Sequence, residues 1–244
     1  MAIRRRTTSV RRTIIAGIAL FCAVTSSCQK NADSPVPHGP RTRFYEVSAA
    51  DYWGDYGTVL IQGYAEIHDK TNCTIEIKRT GPFIPPITFP VGPEEGELVV
   101  TDKFRKELEA AGLGRLGFRK VVKAHIVEIP WQDWDLSAEF PPGHPGLGDP
   151  DKYLDRPHSS QAAEALGDLW RVILDDGSVV EAGNKTKQAR FRNKTWNGDD
   201  IFWYDTSLYS DRGGIRMIVV TAQGKQWLEE RVGKWVRFRE IPAN

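Results

Sequence analysis

Cysteine is scarce in this chain, with three among 244 residues: Cys22, Cys28 and Cys73. No CxxC pair exists, which excludes a cysteine zinc site and a disulfide-stapled scaffold. Five histidines, His38, His68, His125, His144 and His158, include no two at helical ligand spacing. No metal and no cofactor are therefore expected. A Gly-x-Ser-x-Gly elbow, a Walker loop and a dinucleotide fingerprint are all missing. Gly112-Leu113-Gly114 with Gly117 is a loose GxGxxG, but it follows a predicted helix and leads into a strand. Phosphate binding needs the reverse order. The apolar run from Ile14 to Val24 is too short to cross a bilayer, which takes ~20 residues.

What is present begins at the N-terminus. Arg4, Arg5, Arg6, Arg11 and Arg12 precede the apolar run without an acid among them, and Thr25-Ser26-Ser27-Cys28 follows. Basic, apolar and small-residue segments in that order predict a signal peptide over 1–27. Cys28 after small residues predicts acylation there and a membrane-anchored lipoprotein facing the periplasm or the exterior. Ordinary cleavage near Ser27 would instead give a soluble periplasmic or secreted protein, with a Cys28–Cys73 bridge open to it. Arg11-Arg12-Thr13-Ile14-Ile15 also fits a twin-arginine core.

Removing that segment changes the charge. The whole chain has 33 basic and 32 acidic residues, and five of the basic ones leave with the signal. The remainder is mildly acidic, which argues against nucleic acid and for a basic protein partner. Residues 28–42 contain Pro35, Pro37, Gly39 and Pro40 and read as a flexible tether. Eight Trp, ten Phe and seven Tyr predict a packed domain, assigned to 43–244.

Thr58–Ile61, Tyr64–Ile67 and Thr74–Lys78 read as strands, and the Pro- and Gly-rich stretch 80–96 as a loop. Residues 97–121 and 217–241 then align without a gap at an offset of 120. Identical pairs are Val99/Val219, Val100/Val220, Thr101/Thr221, Leu108/Leu228, Glu109/Glu229, Phe118/Phe238 and Arg119/Arg239. Each copy predicts strand, helix and strand, with the threonine as N-cap and, in the first, Gly112 as the stop. The fold class expected is α+β: mixed or antiparallel sheets, short helices and two related strand–helix–strand units in a pseudo-duplicated arrangement. A helix is also predicted from Ser160, with Leu166, Leu169, Trp170 and Ile173 on one face.

Several segments are site-like. Trp131 and Trp134, followed by Asp135, form either an aromatic contact patch or core packing. Tyr153, Arg156 and His158 precede the helix, where an anion or a Pro-led turn would fit. Trp196 and Asp199 lie in a turn-like run. These eight are the candidate partner-binding residues. Asp175-Asp176 and Asp199-Asp200 are carboxylate pairs able in principle to do acid–base work, as is His158, although turn-like surroundings favour solvated side chains. No catalytic residue is assigned. Asn72-Cys73-Thr74, Asn184-Lys185-Thr186 and Asn193-Lys194-Thr195 match the glycosylation pattern, but the export signal looks bacterial.

VVTDKFRKELEAAGLGRLGFRKV, AHIVEIPWQDWD, RPHSSQAAEALGDLW and the closing VRFREI together resemble immunity proteins of bacterial polymorphic toxin systems. The nearest group is the myxobacterial double-CxxCG paralogous family. That resemblance implies a non-enzymatic protein that binds and neutralises a cognate toxin. The CxxCG motifs are absent here, so no metal role carries over. Many such proteins act in the cytoplasm, so an exported one would meet its toxin at the envelope. The alternative is an envelope lipoprotein with a structural or ligand-binding role.

Overall fold

The structure is a computed structural model that describes residues 43–69, 71–72, 74–92, 97–142, 149–174, 196–205 and 216–241. The predicted signal peptide, Cys28, the tether, Cys73, Asp175-Asp176 and the sequons at Asn184 and Asn193 lie outside the described residues.

In chain order the elements are β1 (Phe44–Ala49), α1 (Asp55–Gly57), a π-helical turn (Thr58–Gln62), β2 (Tyr64–Asp69), β3 (Thr74–Gly81), β4 (Ile87–Thr88) and β5 (Val99–Thr101). Next come α2 (Asp102–Ala111), β6 (Leu116–Lys120), β7 (Val122–Glu128), short 3₁₀ turns at Trp131–Asp133 and Pro150–Tyr153, and α3 (Ser160–Ala165). The last are β8 (Leu169–Leu174), β9 (Ile201–Asp205), β10 (Arg216–Thr221), α4 (Ala222–Val232) and β11 (Val236–Ile241).

They form three sheets. Sheet A runs β11-β1-β10-β9 and sheet C runs β4-β5-β8-β6, both antiparallel throughout. Sheet B runs β2-β3-β7 and is mixed, because β3 pairs with β7 in parallel. The fold is α+β with few, short helices.

Both repeat segments form strand, helix and strand. Thr101 accepts from the Phe104 backbone N–H at 3.3 Å and Thr221 from that of Gly224 at 3.2 Å. Each hydroxyl thus satisfies one donor that a helix start leaves open. Gly112, at φ 64°, ends α2 in the left-handed region that glycine reaches without strain.

The two strands of each unit never pair with each other. β8 lies between β5 and β6, and β1 lies between β10 and β11. The registers also correspond. Thr101 faces Leu169 and Phe118 faces Val172 in sheet C; Thr221 faces Phe44 and Phe238 faces Val47 in sheet A. So β8 takes in one sheet the place that β1 takes in the other. A cation lies over the same two rings each time. Arg105 sits 4.6 Å from the Trp170 ring and 6.0 Å from Phe118. Lys225 sits 5.5 Å from Tyr45 and 5.1 Å from Phe238. Such contacts each contribute about 0.5–1 kcal/mol at partly exposed sites.

The main core lies where these units meet. Val47, Ile218 and Val220 of sheet A, Val100, Val172 and Leu174 of sheet C, and Phe104, Leu108 and Leu228 of the helices share one buried cluster. The rings of Phe104 and Trp227 meet at 5.7 Å, joining α2 to α4. A second cluster joins Ile75, Ile77 and Ile126 of sheet B to Val99, Leu169 and the α3 residue Ala162.

Two expected elements are different. Thr58–Ile61 is not a strand but part of the π-helical turn. Val59, Leu60 and Ile61 are all buried, so their apolar run has no period to separate strand from helix. The helix from Ser160 ends at Ala165, and Leu169–Leu174 is a strand. Gly167, at φ 66°, turns the chain out of the helix before Leu169. Inside the expected 80–96 loop, Ile87–Thr88 pairs with β5 and Val91 bridges Tyr64.

Candidate functional site

The segment after β1 carries the one described non-glycine residue at positive φ. Trp53 has φ 56°, an uncommon conformation for a bulky side chain. Such a residue costs about 1–3 kcal/mol and persists only where its surroundings hold it. Here its ring is buried, packs 6.0 Å from Trp134, and donates through Nε1 to the Asp135 carbonyl at 3.2 Å. Gly54 follows at φ 56°, and Gly57 sits so close to the Tyr52 carbonyl that a Cβ would meet it at 1.8 Å. The Trp-Gly-Asp-Tyr-Gly run therefore makes a tight corner that presents Asp55 beside Tyr56.

Two other segments converge on that corner. The Tyr56 ring meets Phe140 and Tyr153, both at 6.3 Å and edge-on. Phe140 is 46% exposed, an unusual position for a large apolar ring. Tyr64, at the start of β2, donates its hydroxyl to Asp151 Oδ1 at 2.6 Å. Burial, that hydrogen bond, and the charges of Asp151, Asp149 and Asp55 push the Tyr64 hydroxyl up to about 12. Three carboxylates from two segments, Asp55 on one and Asp149 with Asp151 on the other, thus act on one phenol and mark an acidic patch rimmed by aromatic rings.

That shift has a measurable consequence. The unfolded chain would ionise Tyr64 near its usual pKa of about 10, while the folded chain keeps the proton to about 12. The Tyr64 contribution to stability is therefore complete below pH 10 and is lost as pH rises toward 12. The stability difference between the wild type and Tyr64→Phe should shrink across that window, as read by urea melts at successive pH values.

The eight expected partner-binding residues are not gathered on one face. Trp131 is fully buried and packs edge-on against Phe83 at 5.2 Å and Trp235 at 6.1 Å. It belongs to the core, because the 3₁₀ turn at Trp131–Asp133 points it inward. Tyr153 is also buried, under Tyr56 and the Arg156 guanidinium, which lies 5.5 Å from its ring. Trp131 thus takes the core-packing alternative, and Tyr153, expected among the contact residues, is also in the core. Trp134 is half-buried, and Asp135 is exposed. The Asp135 carboxylate accepts from the Ser137 N–H at 2.9 Å and hydroxyl at 2.7 Å, which holds it below the usual carboxylate range.

Arg156 and His158 are exposed at the edge of β7. His158 Nδ1 accepts the Ile126 N–H at 3.0 Å, so this nitrogen carries no proton in the folded geometry. His125 Nε2 lies 2.9 Å from the Leu154 carbonyl and 3.0 Å from that of Arg156. Both rings are thus engaged in holding the 154–159 segment against sheet B. No nucleophile or carboxylate partner stands against either in these hydrogen bonds, the arrangement an acid–base pair would need.

Trp196 and Asp199 belong to another neighbourhood. Trp196 packs on Phe44 at 5.6 Å and donates to the Asp199 carbonyl at 2.8 Å. Asp199 accepts from the Asn197 amide at 2.7 Å and lies 3.5 Å from Arg115. Asp200 accepts from the Thr221 hydroxyl and so fastens the start of α4.

Sequence reading missed Trp53, Asp55, Tyr64, Asp149 and Asp151. The aromatic and glycine run 52–57 was a signal for the corner. Nothing local joins Tyr64 to Asp151, 87 residues away. Among the described residues, no group of three or more His, Cys, Asp or Glu could hold a metal ion, and no helix is long and apolar enough to cross a membrane. No protein family, curated protein or solved structure matches this chain.

Proposed function

We propose that the chain is a non-catalytic envelope protein that binds and neutralises a cognate basic protein toxin. The contact surface would be the acidic, aromatic-rimmed patch of Asp55, Asp149, Asp151, Tyr64 and Phe140. The observation carrying this reading is the joint action of three carboxylates on Tyr64, beside an exposed Phe140. Focused negative charge steers a basic partner and raises its association rate, and an aromatic anchor supplies buried area on contact. The strained Trp53 corner fixes the patch in advance, which lowers the ordering cost of binding. The resemblance to toxin-immunity proteins supports a toxin as partner, and the basic export segment supports an encounter at the envelope.

The test is survival of cells making the product of the adjacent gene. The wild-type chain should protect them. A chain carrying Asp55→Asn, Asp149→Asn and Asp151→Asn should fold, by its unchanged circular dichroism, and protect less, with an association rate about tenfold or more slower. Equal killing with and without the wild-type chain would sink the toxin reading.

A further inference from the structure

The two related sheets differ at one position that sequence alignment alone would pass over. Arg239 on β11 lies opposite Glu46 on β1, and its Nε donates to that carboxylate at 2.6 Å. Arg119 on β6 is the residue aligned with Arg239, and it lies opposite Arg171 on β8. Like charges placed directly across an antiparallel pair repel. Arg171 is occupied elsewhere, by an ion pair with the buried Glu97 at 2.6 Å. Arg119 has no carboxylate partner among the described residues. Where Arg239 faces a carboxylate across its strand pair, Arg119 faces a second guanidinium and is exposed.

That guanidinium lines a cleft. The chain leaves sheet C at Lys120 and enters sheet B at Val122, and Thr71, Asn72 and Thr74 lie against this corner. The open space between them is about 670 Å³, with Thr71, Asn72, Thr74, Arg119, Lys120 and Val122 among its walls. Its cations come from Arg119 and Lys120, and its neutral hydrogen-bonding groups from Thr71, Asn72 and Thr74. The acids nearby are already engaged. Asp69 accepts from the Thr71 N–H at 2.8 Å and the Asn72 amide at 2.6 Å, and Asp168 pairs with Lys120 at 2.9 Å.

We infer that this cleft binds a small molecule through a phosphate or carboxylate group held on the Arg119 guanidinium, which lacks the carboxylate that Glu46 supplies to Arg239. A guanidinium presents a planar fork matched to such an oxyanion, and the threonine and asparagine groups suit its remaining oxygens. The proposal does not depend on the toxin reading, since neither the cleft nor Arg119 belongs to the acidic patch.

The test uses inorganic phosphate and acetate, each against sodium chloride of equal ionic strength, followed by the NMR signal of the Arg119 Nε–H and by calorimetry. Saturable binding of either anion should weaken about tenfold or more in Arg119→Gln. A second arm adds phosphatidylglycerol or phosphatidylcholine vesicles to a Cys28→Ser chain, which lacks the acylation site. Arg119-dependent pelleting with the former alone assigns the oxyanion to a lipid headgroup, whereas free phosphate binding without pelleting assigns it to a soluble ligand. Arg119→Glu should raise the melting temperature without ligand, because it removes the repulsion with Arg171. Anions acting no more strongly than chloride, or equally on wild type and Arg119→Gln, would overturn the assignment.

Discussion

Trp131→Ala should destabilise the protein by about 3–5 kcal/mol, the range for removing a fully buried aromatic side chain. Trp134→Ala, three residues on, should cost clearly less. Trp131 is wholly enclosed and touches Phe83 and Trp235, while Trp134 is half-buried beside Trp53. The Trp131 Nε1 has no hydrogen-bond partner among the described residues, so Trp131→Phe removes a costly unsatisfied donor together with some volume. It should therefore retain most of the stability that the alanine variant loses. Chemical denaturation of the three variants tests this order. If Trp134→Ala is the more damaging of the two alanine variants, the assignment of Trp131 to the core is wrong.

Arg79→Ala should be comparably severe, at about 3–5 kcal/mol. Arg79 is 1% exposed on β3, and burial alone pushes its guanidinium down, to about 9. No carboxylate contributes to that shift. Its contacts are carbonyls: Nη2 donates to Ile61 at 3.0 Å and Nε to Thr80 at 3.0 Å. The Ile61 carbonyl belongs to the π-helical turn, where the bonding pattern of an ordinary helix is broken. Arg79 thus fastens that turn to sheet B, and Thr80 adds a second tie by donating to the Leu60 carbonyl at 2.6 Å. Alanine would leave a cavity and take the guanidinium donors away from both carbonyls. Methionine would fill the space and remove the desolvated charge, so Arg79→Met should be the more stable replacement. Equal melting midpoints for Arg79→Ala and wild type would refute this role.

The two strand–helix–strand segments were legible because their signals are local. A threonine cap, helical spacing of Phe104 and Leu108, and a left-handed glycine all act within a few residues. The run Val59–Ile61 was misread because burial on every side erases periodicity. The stretch 166–173 was misread because Leu166, Leu169, Trp170 and Ile173 fit a helical face as well as a strand, and Gly167 decides between them. The candidate patch was legible only in part. Its Trp134 and Asp135 flank lay within one segment, but Tyr64, Asp55 and Asp151 are joined by the fold alone. The Arg119–Arg171 opposition likewise needs the strand register before it can be seen.

The placement of β1 between β10 and β11 also governs the order in which the molecule can close. Phe44 must meet Thr221 on one side and Ile241 on the other, so the earliest strand waits for the latest. Contacts of such sequence separation form slowly, because a long loop must be ordered before any pairing rewards it. Sheet A can be completed only after β11 has been synthesised. Until β10 emerges β1 lacks both of its native neighbours, and until β11 follows it lacks one, so this sheet stays open on the nascent chain.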